Sequence, residues 1–297
     1  MHDVIIIGGS FAGLAAATQL GRARRKVLVL DTGAPRNRFA PHSHGFFSRD
    51  GAPPLELLAT ARDQLRAYRT VEIHNARAAS ARHLETGFVV DLEGGEQVAA
   101  RKLILAYGMV DDLSVLPPGA EACWGKSIFF CPYCHGFEFG DRQLGMLLRH
   151  GNALDMARLY LEWSANLTVF TNAAPLDPAV RAGLADLGVT VVDAPVLSLD
   201  HHDGELHSVV TANGAVAIDA LFTHPPARFA SDIGLQLGCE TSEGPGGRYL
   251  ATNDWRATSV AGVAAAGDIA WPAPSISFAV AQGIAAGSST HHSLLAG

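Results

Sequence analysis

Val4-Ile5-Ile6-Ile7-Gly8-Gly9-Ser10-Phe11-Ala12-Gly13 starts the chain with an apolar run that stops abruptly at glycine. A short, branched, uninterrupted run of this kind predicts a central parallel strand buried on both faces. Leu14 to Leu20 is rich in small residues and predicts a helix. Val27 to Leu30 predicts a second buried strand, ending in Asp31. Strand, glycine turn, helix, strand and acid in this order make the dinucleotide-binding fingerprint. Gly8 makes the tight turn, and Gly13 lets helix and strand approach closely. The helix start at Ser10, Phe11, Ala12 and Gly13 offers free N–H groups and a positive dipole end to a pyrophosphate. Asp31 can accept hydrogen bonds from a ribose diol. Ser10 stands where a second glycine is usual, a small side chain at the closest approach to phosphate.

Beyond this unit, Thr32 to Asp50 is loop-like and carries Arg36, Arg38, His42, His44 and Arg49. It reads as a solvated loop or as a wrap around the cofactor, with Arg36 and Arg38 as contacts. Pro53 to Tyr68 predicts a helix, and Val71 to Asp91 a small antiparallel set. Lys102 to Ala106 predicts another buried strand, ending in Tyr107-Gly108. Leu116-Pro117-Pro118-Gly119 is a stiff turn and a candidate domain crossing. A second α/β unit then begins at Lys126 to Phe130. It has strands at Leu144 to Leu148, Leu167 to Phe170 and Val189 to Val192, a helix from Asn152 to Trp163, and an end near Pro226. Gly262 to Asp268 is a short strand into a turn, and a helix from about Ser277 to His291 follows.

The 297 residues are enough for two domains. A net charge of −7 with no basic block argues against a nucleic-acid partner. No apolar run approaches the roughly 20 residues that span a bilayer, and the first strand leaves no room for a signal peptide. A cytoplasmic location, away from membranes, is therefore expected. Four cysteines there are not a structural disulfide framework. Cys123 and Cys239 stand alone and read as small buried apolar residues.

The other two lie in Cys131-Pro132-Tyr133-Cys134-His135. Thiols three residues apart can close and open a small disulfide ring without unfolding anything around it. The neighbouring imidazole of His135 titrates near neutral pH and can both donate and accept a proton. The same spacing marks c-type haem attachment. That reading lacks an axial methionine and an export signal. A zinc site built on the pair lacks a second pair at ligand spacing.

Taken in order, these features resemble the low-molecular-weight thioredoxin reductases, two-domain flavoproteins of about this length. Leu105-Ala106-Tyr107-Gly108 resembles that family's A-T-G strand end, with Tyr107 for threonine. Ala266-Gly267-Asp268 resembles the G-D motif whose aspartate holds the ribityl chain of FAD. The resemblance implies an α/β fold of two Rossmann-like domains. Residues 1–114 and 226–297 would form a discontinuous FAD domain, and 115–225 a domain built for a pyridine nucleotide and carrying the cysteines. It further implies FAD contacts at Gly8, Ser10, Phe11, Ala12, Gly13, Asp31, Arg36, Arg38, Ala106, Tyr107, Gly108, Gly267, Asp268, Ser275, Ile276 and Ser277. Cys134 would be the flavin-proximal thiol and Cys131 the outer one. The family is usually a homodimer, which the small residues Ala279, Ala281, Ala285 and Ala286 of the last helix allow.

The departures from that family matter more. Its second domain has its own G-x-G-x-x-A turn for NADPH. Here Leu147-Leu148-Arg149-His150-Gly151-Asn152-Ala153 puts Leu148 and His150 at the two glycine positions. The arginines that grip a 2′-phosphate are replaced by Thr171-Asn172-Ala173-Ala174. His135 replaces the acid that usually follows the second cysteine. The pattern resembles two offshoots of the family. One is the dithiol oxidases of disulfide natural-product pathways, the gliotoxin type. The other is the pyridine-nucleotide-independent, reductase-like flavoproteins of bacteria. The expectation is an FAD-dependent thiol–disulfide oxidoreductase acting through Cys131, Cys134 and His135 without NADPH. Its partner would be a small dithiol or disulfide, or a thioredoxin-like protein, and its other electron donor or acceptor is open. An NADPH-dependent thioredoxin reductase, an oxygen-dependent dithiol oxidase and a non-catalytic flavin-binding sensor stand as alternatives.

Overall fold

The computed structural model describes residues 1–149, 152–244 and 246–296. The expectation about His150 therefore lies outside the described residues. The chain divides into two compact units. The first comprises Met1–Arg38, Pro54–Asp111 and Pro226–Gly297, and the second Phe39–Pro53 and Asp112–Pro225.

In the first unit, β1 (His2–Ile7), α1 (Phe11–Arg22), β2 (Val27–Asp31), α2 (Pro54–Leu65), β3 (Val71–Asn75), β4 (Ala78–Leu84), β5 (Gly87–Leu92) and β6 (Gln97–Leu105) follow in order. The sheet runs β3-β2-β1-β6-β5-β4, and the strand Val263–Ala265 also pairs with β6. β1 lies parallel to both β2 and β6. The pleat sends alternate side chains to opposite faces. Ile5, Ile7, Leu28, Leu30, Leu103 and Leu105 join one core cluster. Val4, Ile6, Val27, Val29 and Ile104 join the other, with α1. Burial on both faces explains the unbroken apolar run, each such side chain contributing about 1.5–3 kcal/mol.

Val71–Asn75 is not one of an antiparallel set. It pairs parallel to β2 at the sheet edge, whereas β4, β5 and β6 are antiparallel. Its alternating pattern reports one-sided burial, not strand direction.

The C-terminal helix, Ile276–Leu295, lies across α1. A Cβ on Gly283 would stand 2.1 Å from Ala12 O, and one on Gly287 2.8 Å from Ala16 O. Ala286 is buried in the same contact, and Ala279 packs beside it. Gly283, Ala286 and Gly287 thus serve packing within the unit, while Ala281 is exposed and Ala285 half-buried.

The second unit has a five-stranded parallel sheet in the order Thr190–Val192, Leu167–Phe170, Leu144–Leu147, Ala220–Phe222, Ile128–Phe129. A three-stranded antiparallel sheet, Val196–His202, Glu205–Thr211 and Gly214–Ala217, accompanies it. The expected domain boundaries put residues 39–53 with the first unit. Local contacts put them with the second. Gly125 abuts the Phe39 backbone so closely that a Cβ would stand 2.9 Å away, and His44 meets Glu138. The turn at Leu116 to Gly119 lies inside this unit, and the chain enters it at Asp112. Cys123 and Cys239 are free and buried, as expected. No helix among the described residues is long and apolar enough to cross a membrane.

Candidate active site

In the first unit the glycine turn forms a cradle. Gly8 has φ of +106°, and a Cβ there would lie 2.2 Å from Ala106 O. A Cβ on Gly13 would lie 1.8 Å from Gly8 O. The Ala106 N–H donates to Ile7 O, which continues β6 alongside this turn. Ser10 is the N-cap of α1, but its side chain makes no capping bond, and no acid sits in the first turn. The first-turn amides at Phe11, Ala12 and Gly13 have no side-chain acceptor, the arrangement that receives an anion.

Asp31 closes β2, and its carboxylate is already engaged. Oδ1 accepts from Gly9 N at 3.1 Å, and Oδ2 pairs with Arg62. A carboxylate has about four lone-pair sites, so capacity for a diol remains. Arg62, which also donates to Gly9 O at 3.2 Å, carried no signal of its own in the sequence.

Arg36 grips two carboxylates: Asp111 through Nε at 3.0 Å and Nη2 at 2.5 Å, and Asp268 through Nη1 at 2.9 Å. The two carboxylates hold its guanidinium firmly protonated against the opposing effect of burial. Arg36 thus fixes Asp268, and Arg38 donates to Pro35 O. Gly267, at φ +82°, donates its N–H to the buried Gln282 Oε1 at 2.9 Å. Gln282 also escaped the sequence analysis, although it is the polar exception on an apolar helix face. Ser275 caps the C-terminal helix, its hydroxyl accepting from Phe278 N. Ile276 and Ser277 fall in the first turn of that helix.

Tyr107 stands where the resemblance puts a threonine. Its hydroxyl accepts from Gly234 N at 3.3 Å, and burial pushes its pKa up. Gly108, at φ +72°, accepts from Ala230 N through its carbonyl.

In the second unit Cys131 and Cys134 form a disulfide, with Cα atoms 5.4 Å apart. Cys131 caps the one-turn helix Pro132–His135, with proline at its first position. Both cysteines are half-buried, while Tyr133 beside them is exposed. The His135 ring stacks on Phe129, centroids 4.2 Å apart at 21°. His44 meets it edge-on at 5.9 Å. Burial, with the neighbouring His44, pushes the His135 pKa down to about 4. This corrects the expectation of titration near neutrality. His135 is a neutral imidazole at pH 7, and the burial that keeps it so also makes it a weak proton acceptor.

His44 Nε2 lies 3.3 Å from Glu138 Oε1. The loop that carries His44 is bonded to itself: Ser43 N donates to Ala52 O and Gly51 N to Ser43 O. His44 therefore stands beside the disulfide helix. Glu138 went unnoticed in the sequence.

The neutral state of His135 has a consequence for stability. The unfolded imidazole takes a proton near pH 6.5 and the folded one only near 4. Between these values the unfolded state binds more protons, so stability is intact above pH 6.5 and falls as pH drops towards 4. The loss should reach about 2–3 kcal/mol. Urea denaturation of the wild type and His135→Asn at pH 7.5 and 4.5 checks this. The variant should lose less stability on acidification, and equal losses would refute the assignment.

The expected nucleotide turn of the second unit lies at the end of Leu144–Leu147. A cleft of about 150 Å³ there is lined by Leu147, Leu148, Arg149, Asn172, Val115 and Val196, among others. Arg149 donates Nη1 to Val115 O at 2.9 Å. Arg181 is paired with Asp193 at 2.8 Å. The buried Nε of Arg149 has no hydrogen-bond partner among the described residues.

A glycine cradle at the end of a central strand of one sheet and a redox-capable disulfide beside a second sheet define the class. The chain belongs to the pyridine nucleotide-disulphide oxidoreductases, whose family model matches residues 2–285. Within that class it is a thioredoxin reductase-like flavoprotein disulfide oxidoreductase. It is 32% identical to thioredoxin reductase sirT of Leptosphaeria maculans, over 99% of this chain and 95% of that one. Thioredoxin reductase aclD of Aspergillus oryzae is 30% identical over 95% and 93%. The solved structure of the oxidoreductase from Agrobacterium tumefaciens superposes with a TM-score of 0.92 at 40% identity, covering 99% and 98%.

Proposed function

We propose that this protein is an FAD-dependent thiol–disulfide oxidoreductase that exchanges electrons with a dithiol or disulfide substrate and does not use NADPH. What supports the absence of NADPH is Leu148 at a position that the family fills with glycine, and Thr171-Asn172-Ala173-Ala174, with no arginine, after the next strand. The first unit fits FAD. The cradle at Gly8 and Gly13 leaves no room for a Cβ, and the α1 amides are uncapped. Gly267 and Asp268, held by Gln282 and Arg36, supply the second anchor. When bound, the flavin supplies a two-electron couple.

The remaining steps belong to the protein's own side chains. A substrate thiol gives up its proton, which His135 relays to solvent as a transient acceptor, since burial opposes a lasting imidazolium. The substrate thiolate attacks Cys131 Sγ, the Cys131–Cys134 bond breaks, and Cys134 leaves as a thiolate. The second substrate thiol then closes the substrate disulfide and releases Cys131. Two electrons and two protons leave the substrate, and the enzyme disulfide becomes a dithiol. Running the same steps backwards reduces a disulfide. The substrate is a small dithiol or a thioredoxin-like protein, and the relatives named thioredoxin reductase support either. We include in this reading a cytoplasmic homodimer, which light scattering would check. The exposed Phe278, Ala281 and Ile284 of the C-terminal helix are side chains available to it.

An anaerobic titration of the flavin spectrum tests the proposal. A small dithiol should bleach the flavin stoichiometrically, and NADPH should not. Fast stoichiometric reduction by NADPH would establish the orthodox NADPH-dependent reductase instead. Under air, hydrogen peroxide formed in proportion to dithiol would identify the oxidase form.

A further inference from the structure

The loop Ser43–Ala52 and the turn after the disulfide bring together two imidazoles and a carboxylate. His44, His135 and Glu138 each offer one ligand atom, and these atoms lie within 4.8 Å of one another. His44 Nε2 and Glu138 Oε1 are 3.3 Å apart. Two ligands at about 2.0–2.1 Å from a shared tetrahedral ion stand about 3.4 Å apart. The other ring nitrogen of His44 faces Asp50 Oδ1 at 3.8 Å, and Asp50 Oδ1 also accepts from Gly45 N at 2.7 Å. A carboxylate behind a ligating imidazole is the usual outer shell of a metal site. The ring of His135 is fixed by its stack on Phe129.

We propose that His44, His135 and Glu138 form a binding site for a divalent cation of the zinc class. Two imidazole nitrogens and one carboxylate oxygen would be its ligands, with a fourth position open to water. A set of two nitrogens and one oxygen suits zinc, whereas magnesium and calcium prefer oxygen throughout. The cysteines take no part in this set. On the functional reading above, an ion here occupies the His135 lone pair that receives the substrate proton, so zinc should slow exchange and a chelator should restore it.

The binding test uses flavin-loaded, chelator-treated protein in which Cys131 and Cys134 are both serine, so that no thiolate competes for metal. Equilibrium dialysis against zinc should give one tightly held equivalent. Cobalt should give visible absorption beyond the flavin bands, displaced by zinc. His44→Asn and Glu138→Gln should each weaken uptake by roughly 100-fold or more, beyond the range seen for outer-shell changes. No tight uptake, or uptake unchanged in either variant, overturns the site. Should a variant misfold, diethylpyrocarbonate labelling of the oxidised wild type decides the matter. Zinc should protect His44 and His135 and leave His291 reactive, and equal labelling overturns the proposal. Because metal uptake is read without a working disulfide, its failure would leave the exchange function standing.

Discussion

Replacing Cys134 with serine should give a yellow, folded protein whose flavin no longer responds to dithiols. The flavin cradle is built from Gly8, Gly13 and Asp268 in one unit, and the disulfide from the other, so cofactor content should not change. Serine cannot form the enzyme disulfide, so the substrate thiolate has no sulfur–sulfur bond to attack. Dithiol-driven bleaching should fall to the uncatalysed background, and Cys131→Ser should behave alike. His135→Ala should fall less, by roughly 10²–10⁴-fold, the range of one general acid–base contribution. Stopped-flow traces of the flavin absorption band separate these outcomes. Bleaching by Cys134→Ser at a rate near that of the wild type would end the exchange mechanism.

Arg36→Met should destabilise the first unit by about 3–5 kcal/mol, the cost of breaking a buried pair by removing one partner. Asp111 is 7% exposed and Asp268 20%. Without the guanidinium, two carboxylates remain in a confined space, one of them deeply buried. The melting temperature should drop by roughly 10 °C. Flavin content should fall with it, since Asp268 loses its anchor. Asp111→Asn added to Arg36→Met removes one uncompensated charge and should recover part of the loss. A drop of under about 1 kcal/mol would mean that solvent screens the triad as it screens surface pairs.

The parts legible in sequence were those whose chemistry is local. The β1–α1–β2 unit, the cysteine pair and the Gly267-Asp268 turn each occupy a few adjacent residues, where spacing alone carries the geometry. What escaped depends on distant partners. Arg36 meets Asp111 across 75 positions and Asp268 across 232. No local pattern marks either pair. His44 was visible as one of several basic residues in a loop, but its place beside His135 follows from how that loop folds back through Ser43 and Ala52. The His135 pKa was misjudged for the same reason, because the stacking Phe129 and the burial it brings belong to tertiary packing. Tyr107 was assigned by position in a motif, whereas its hydroxyl follows the N–H of Gly234, 127 residues away.

The placement of residues 39–53 bears on how this protein can be cut and recombined. The chain changes units at 38/39, 53/54, 111/112 and 225/226, four times in all. The second unit is thus encoded in two pieces, and the shorter one brings His44. Excising 112–225 as an autonomous module, or grafting it onto another flavoprotein, would carry the cysteines and His135 but leave His44 behind. A fragment library would therefore need a circularly permuted or two-piece design to retain all four of these side chains. A homologue with a shortened loop after its second strand would keep the dithiol yet lose the second imidazole.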